Sequence, residues 1–201
     1  MPEAPLVSVR HDPIDVREKI LETASTLFYR QGVRAVGVDL VVKEAGVAKT
    51  SLYRHFGTKD DLIAAFLQRE DADFWSQWES VAAAHPNDPR GELSAHMEWI
   101  GARAGRPGYR GCPQINVAAE FPEADHPARK VATAHKRELR RRLTVIAEAL
   151  AVPAPQELGG QLAVLINGAF VSTPIFDSGE ATLMLQRAAD ALISVASVGR
   201  R

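Results

Sequence analysis

The sequence is short of several things at once, and each shortage excludes a class of answers. It holds one cysteine, Cys112, in 201 residues. That rules out an intramolecular disulfide framework and fits a reducing compartment. It has almost no net charge, with 24 Lys and Arg against 25 Asp and Glu. A uniformly basic nucleic-acid coat is thereby excluded, although a local basic surface is not. No Val/Ile/Thr-rich alternating run bounded by hairpin dipeptides occurs, which argues against a sheet. P-loop, GxGxxG, GxSxG, HExxH and CxxC patterns are all missing, and the six histidines are scattered singly. The chain therefore reads as a non-enzyme with no cofactor and no metal. Glu123, Asp125 and His126, an acid/His group beside a loop, read as a capped connection between Pro122 and Pro127.

Targeting and membrane signals are also lacking. Met1 to Pro13 has no basic stretch followed by an apolar one, so no signal peptide is expected. Leu158 to Phe176 carries no charge for 19 residues, about the length of a membrane span. Two adjacent glycines, Gln161, Asn167, Ser172, Thr173 and Pro174 dilute it too far for lipid. A buried helix at a protein interface is the better reading, and a cytoplasmic chain without membrane contact is expected.

What is present is a helical pattern. Hydrophobic residues make up 46% and charged residues 24%, the balance of a folded globular protein. Runs with a 3.6-residue apolar period are separated by Pro/Gly clusters, and about nine helices are predicted. Asp12-Pro13 reads as the start of the first, with Val16, Ile20, Ala24, Leu27 and Phe28 at helix spacing and Gly32 as the stop. Short segments Val38–Ala45 and Lys49–Phe56 follow. Thr58 and Asp61 form a capping box that opens a long helix carrying Ile63, Leu67, Phe74, Trp78 and Val81 on one side. Further helices are expected from Asp88-Pro89 to about Ala104, Pro113 to near Pro122, and His126-Pro127 to about Val152. The last two are expected from Pro155 to about Phe176 and Ser178 to about Val198. The expected architecture is all-α: a three-helix N-terminal domain, residues 1–57, and a larger helical domain, residues 58–201.

Val38 to Lys59 is the informative stretch. Two short helices around a tight glycine turn have the layout of a helix-turn-helix. Leu40, Val41, Ala45, Val47, Leu52 and Phe56 can close a small core against the first helix, and Gly46 can take the positive φ of the turn. Lys49, Thr50, Ser51, Tyr53, Arg54 and His55 remain outward. From Ala45 to Lys59 there are three basic residues and no acid. A polar face on an amphipathic helix is common, but cations interleaved with Tyr and His and free of acids point towards nucleic acid.

The run Ala45-Gly46-Val47-Ala48-Lys49-Thr50-Ser51-Leu52-Tyr53-Arg54-His55-Phe56-Gly57-Thr58-Lys59-Asp60-Asp61-Leu62, with Gly32-Val33-Arg34 and Val38-Asp39-Leu40-Val41 before it, resembles the DNA-binding domain of the TetR (tetracycline-repressor) family. The resemblance covers roughly residues 14–65. It implies a ligand-responsive transcriptional regulator, usually a repressor, that acts as a homodimer on a double-stranded operator. By position, Lys49, Thr50, Ser51 and Tyr53 would face bases or nearby sugar-phosphate, His55 and Lys59 would hold phosphates, and Arg54 could do either. Two positions depart from the family pattern. Gly37-Val38 and Ala48 stand where relatives carry Ser or Thr, so some phosphate contacts are expected to be missing or to come from backbone N–H groups.

For the larger domain the resemblance implies an effector cavity and a dimer interface. Leu158, Leu162, Leu165, Ile166, Ala169 and Phe170, then Leu183, Ala188, Leu192 and Val195, give the last two helices broad apolar faces for an interface or for the chain's own core. Gly159, Gly160, Gly168 and Ala169 would allow close approach. Candidate ligand contacts are Trp78, His96, Trp99, Asn116, Glu120 and Phe170, with Trp75, Met97, Tyr109 and Phe121 nearby. Asn116 and Glu120, four apart, could meet one ligand. Aromatics at helix spacing are also what a plain core looks like. Arg129 to Arg142 holds seven basic residues and only Glu138 against them. It reads most simply as a solvated helix face, with a DNA surface or an anionic effector such as an acyl-CoA as alternatives. The competing reading of the whole chain is a helical binding or scaffold protein without specific DNA binding.

Overall fold

The computed structural model describes residues 15–172, 175–176 and 179–198. Among them are nine α-helices and no strand. They are α1 (Val16–Gln31), α2 (Val38–Ala45), α3 (Lys49–Phe56), α4 (Lys59–Ala83), α5 (Pro89–Ala104), α6 (Pro113–Glu120), α7 (Pro127–Ala149), α8 (Pro155–Ser172) and α9 (Glu180–Val198).

Local chemistry sets most of the boundaries. The Asp88 carboxylate accepts from Gly91 N at 2.9 Å ahead of Pro89, and His126 Nδ1 accepts from Ala128 N at 3.2 Å ahead of Pro127. Thr58 and Asp61 form the expected reciprocal box, each side chain accepting from the other's backbone N–H. Gly46 closes α2 in the left-handed region, φ 61°, which a side chain would strain. The beginning of α1 differs from expectation. Asp12 and Pro13 lie outside the described residues, and the helix starts at Val16 on the Asp15 carboxylate, which accepts from Arg17 N at 3.0 Å. Helix α7 ends at Ala149, a few residues before the expected Val152; Thr173, Pro174 and Ser178, on which the expected end of α8 and start of α9 fall, lie outside the described residues.

Two hydrophobic cores form. The first joins α1, α2, α3 and the first turns of α4, with Ile20, Phe28, Val41, Leu52, Phe56 and Phe66 buried; Val117 of α6 and Ala128 and Ala132 of α7 complete it. Val16 was expected inside but is 40% exposed. The second core fills the space between the rest of α4 and α5–α9, around Phe74, Trp78, Met97, Leu139, Leu162 and Phe170. Close approach of helices depends on two glycines. A Cβ on Gly159 would come within 2.4 Å of Thr144 Oγ1 on α7, and one on Gly101 within 2.4 Å of Thr182 on α9. Among the described residues no helix is long and apolar enough to cross a membrane.

Candidate nucleic-acid interface

The recognition surface is built from the inside out. Leu52 and Phe56 are buried on one side of α3, and the guanidinium of Arg17 lies 5.0 Å over the Phe56 ring. That fixes the rotation of the helix. Its other side then presents Lys49, Thr50, Tyr53, Arg54 and His55 to solvent, with Ser51 partly covered and Tyr53 43% exposed. Ala48, the cap of α3, and Gly37, the cap of α2, make no side-chain cap bond. Free N–H groups at the first turn of α3 thus stand beside the cations, the arrangement a helix offers to a phosphate.

Electrostatics add two features that a linear reading misses. Lys49 is not a free cation: its Nζ lies 2.7 Å from Asp39 Oδ1 on α2, and this carboxylate raises the Lys49 pKa. The acid-free stretch therefore borrows an acid from ten residues upstream. Lys59, the first residue of α4, is partly buried, and desolvation lowers its pKa while Asp60 and Glu120 oppose the shift. On the other side, α1 supplies cations. Lys19 is exposed, and its Nζ lies 3.7 Å from where a Gly46 side chain would begin. No local motif marks Lys19; only its place on the solvent side of α1, between the core positions, does.

The head is tied to the rest of the chain through α6. Glu120 Oε1 accepts from Val33 N at 3.2 Å and Oε2 from Arg34 N at 2.9 Å. Tyr29 Oη donates to Gly111 O at 3.3 Å and accepts from Arg110 N at 2.9 Å. Asn116 Nδ2 donates to Arg110 O at 2.8 Å.

These bonds divide the expected ligand set. Asn116 and Glu120 sit at the head–body junction, with Asn116 Nδ2 and both Glu120 oxygens engaged, and line a hollow of about 290 Å³ there with Phe28, Tyr29 and Arg110, away from Trp78, His96, Trp99 and Phe170. The latter four belong to a closed aromatic core around Phe74. His96 is fully buried and stacked on Trp78 at 3.7 Å, and burial lowers its pKa to about 3. Its 3.4 Å approach to Glu92 is therefore not an ion pair at neutral pH. Trp78 and His96 fill the core rather than line an opening. Phe170 does border a small void of about 10 Å³, together with Tyr109, Gln114 and His135. Tyr109 Oη, Gln114 Oε1 and His135 Nε2 are buried there without a hydrogen-bond partner, in space for about one water-sized molecule. His135 is held by Asp71, whose Oδ1 lies 2.6 Å from Nδ1 and also accepts from Trp75 Nε1 at 2.8 Å.

The interface residues expected on α8 and α9 are also redistributed. Leu158, Leu162, Ile166, Ala169 and Phe170 pack into the chain's own core, as do Leu185, Ala189 and Ile193. Of the expected residues Leu183 and Val195 stay outward, and with them Val164 and Val171 on α8 and Met184 and Val198 on α9, 37–75% exposed. Among the described residues no group of three or more His, Cys, Asp or Glu could hold a metal ion. His126 caps α7 and stacks on Phe121 at 3.8 Å.

Comparison with known proteins agrees with this geometry. The family model for bacterial regulatory proteins of the tetR family matches residues 20–66. A TetR-type transcriptional regulator from Streptomyces avermitilis is 33% identical, with 90% of this chain and 98% of that one covered at a TM-score of 0.76. The chain belongs to the TetR family. A TetR-family transcriptional regulator from Streptomyces coelicolor is 29% identical over 90% of this chain and 96% of that chain, with a TM-score of 0.85. Among curated proteins, an HTH-type transcriptional regulator of Staphylococcus aureus is 34% identical over 80 residues, 40% of this chain and 43% of that protein. The Bacillus subtilis regulator YxaF is 57% identical over 50 residues, 25% of this chain and 26% of its own length. The matches thus span less than half of these curated relatives. This TetR-family chain is a DNA-binding transcriptional regulator, and its relatives are regulators rather than enzymes.

Proposed function

We propose that this TetR-family regulator is a homodimeric repressor that leaves an inverted-repeat operator when a small molecule occupies its body. The observation that carries the DNA part is the exposed face of α3, Lys49 to His55, held in one rotation by buried Leu52 and Phe56. In this reading Lys49, Thr50, Ser51 and Tyr53 meet base edges or nearby sugar, while His55, Lys59 and Arg54 meet phosphates. The helix lies in the major groove, and a two-fold partner reads a second half-site about 34 Å away. The dimer reading is supported by Val164, Val171, Val195 and Val198, large apolar side chains exposed on two helices that pack against each other. We divide the chain into a head of residues 1–57 and a body of 58–201, with α4 passing between them and its first turns packed under the head. The ligand part is supported by the size of the body, which far exceeds what a helix-turn-helix needs.

Selection of bound sequences from a random duplex library tests the reading. An inverted repeat is expected, and Tyr53→Ala should abolish its enrichment without lowering the melting temperature, because Tyr53 is 43% exposed. Enrichment unchanged by that substitution would refute the role of α3. Val164→Asp with Val171→Asp should convert the dimer to monomer in sedimentation and remove cooperative binding to paired half-sites.

A further inference from the structure

The basic run on α7 divides into two faces with opposite fates. Arg141 and Arg142 both grip Glu138 at 2.7 Å, and Arg142 also reaches Glu79, so that face is neutralised. Lys136 and Arg140, one turn apart on the opposite face with Arg137 beside them, have no carboxylate partner among the described residues. They border a groove of about 480 Å³ between α6, α7 and α8, whose apolar wall is Ile115, Ala118 and Ala132. A second hollow of about 670 Å³ adjoins it and shares Lys136, Arg140 and Asn167.

Lys136 is the informative cation. Arg137 and Arg140 are exposed and can be hydrated, but Lys136 is partly buried. Its Nζ donates to Asn167 Oδ1 at 2.6 Å and to Cys112 Sγ at 3.6 Å, neither of which carries a formal charge to match it in the neutral thiol form. Loss of water accordingly lowers its pKa. A buried cation is ordinarily paired, and like charges one helical turn apart destabilise a helix. The groove therefore has cations on one side, apolar surface on the other and no internal counter-ion, within the size range of small-molecule sites.

We propose that this groove binds an organic anion whose head group, a carboxylate or phosphate monoester, reaches Lys136 and Arg140 and whose apolar body lies on Ile115, Ala118 and Ala132. The proposal rests on the ligand-responsive reading only in naming this anion as the effector; the binding site itself is independent of it. Direct calorimetric titration of the full-length protein with decanoate and with decyl phosphate tests the site and separates the two head groups. Decan-1-ol and decyltrimethylammonium serve as neutral and cationic controls.

Binding of at least one anion is expected, with both controls much weaker. Arg140→Gln, at an exposed position that leaves the fold intact, and Lys136→Met should each weaken anion binding about tenfold or more, while Arg141→Gln on the neutralised face should not. Equal binding of decan-1-ol, or unchanged binding by Arg140→Gln, overturns the site. So does an effect of Arg140→Gln on dimer dissociation instead of on the anion, which would mean that a second copy fills the groove. Operator affinity measured by fluorescence anisotropy with saturating anion is read separately. Anion binding without operator release keeps the site and removes the effector role. Release that survives Arg140→Gln keeps the effector reading and removes the site.

Discussion

Replacing Glu120 by alanine should loosen the head from the body. The Glu120 carboxylate is the acceptor for the N–H groups of Val33 and Arg34, in a loop 87 and 86 residues away in sequence. Val33 is fully buried, so its N–H would be left without an acceptor, whereas Arg34 is exposed and water can replace the lost bond. A hydrogen bond to a charged acceptor contributes about 1.5–3 kcal/mol when buried and less when solvated. The Val33 bond is only part-buried, so it is taken at the low end, about 1.5–2 kcal/mol, and the exposed Arg34 bond at about half of that; Glu120→Ala should then cost about 2–3 kcal/mol. For a chain of this size that lowers the melting temperature by about 4–12 °C. Glu120→Gln retains one acceptor oxygen and should lose about half as much. Urea unfolding gives the free energy, and amide exchange over residues 30–37 locates it, because Val33 and Arg34 should lose protection while α9 does not. If Glu120→Ala melts within a degree or so of the parent and exchange over 30–37 is unchanged, the carboxylate is not a tether.

Two other perturbations test the electrostatic readings. Asp39→Asn releases Lys49 from its 2.7 Å partner, so the slope of log affinity against log salt should steepen by about one unit on duplex DNA. An unchanged slope would mean that Lys49 never reaches a phosphate. His96→Phe tests the buried imidazole through pH. The folded pKa of about 3 lies below the unfolded 6.5, so acidification below about 6.5 protonates the unfolded chain first. Stability should then fall by about 1.4 kcal/mol per pH unit on this account, a loss that ends near pH 3. The parent-minus-variant difference in urea unfolding isolates that slope from His135, which shifts in the same direction. Parallel stability curves for parent and variant would refute it.

The parts of the fold that follow from neighbours in sequence were readable there, and the parts that follow from neighbours in space were not. Gly46, the Thr58/Asp61 box, Asp88-Pro89 and Pro113 each carry their boundary in a few residues, and α2 ends and α4, α5 and α6 begin where those signals fall. The family and the all-α architecture were legible for the same reason. Asp39 was not visible as a partner of Lys49, because the two come together only when α2 and α3 close around Gly46. Asn116 and Glu120 share a helix face as expected, but that face looks at the head rather than into the body. On α8 apolar residues occur all around, Leu158, Leu162 and Ile166 inward and Val164 and Val171 outward, so periodicity alone could not say which set the chain keeps for itself. The charge arithmetic hid a similar division. Without Ala45–Lys59 and Arg129–Arg142, the remaining residues hold 14 basic and 24 acidic side chains, so two basic patches sit on an acidic body.

Helix α6 is where these threads meet. It is eight residues, about 12 Å long, and too short to bend without losing its hydrogen bonds. Ile115 and Ala118 border the groove beside α7, Val117 is buried in the head's core, and Glu120 holds the loop between α1 and α2. A ligand that displaces α6 therefore acts on the head through Glu120, and through that carboxylate by no more than its bonds contribute. A ligand shifts an equilibrium only by its difference in affinity for the two states. The tether's 2–3 kcal/mol accordingly caps that route at about 30–160-fold in operator affinity. In Glu120→Ala the ratio of operator affinities without and with saturating decanoate or decyl phosphate should fall towards one, while calorimetric binding of the same anion stays as in the parent. A ratio that stays large in this variant would assign the coupling to another contact, the Tyr29–Arg110 bond being next in line.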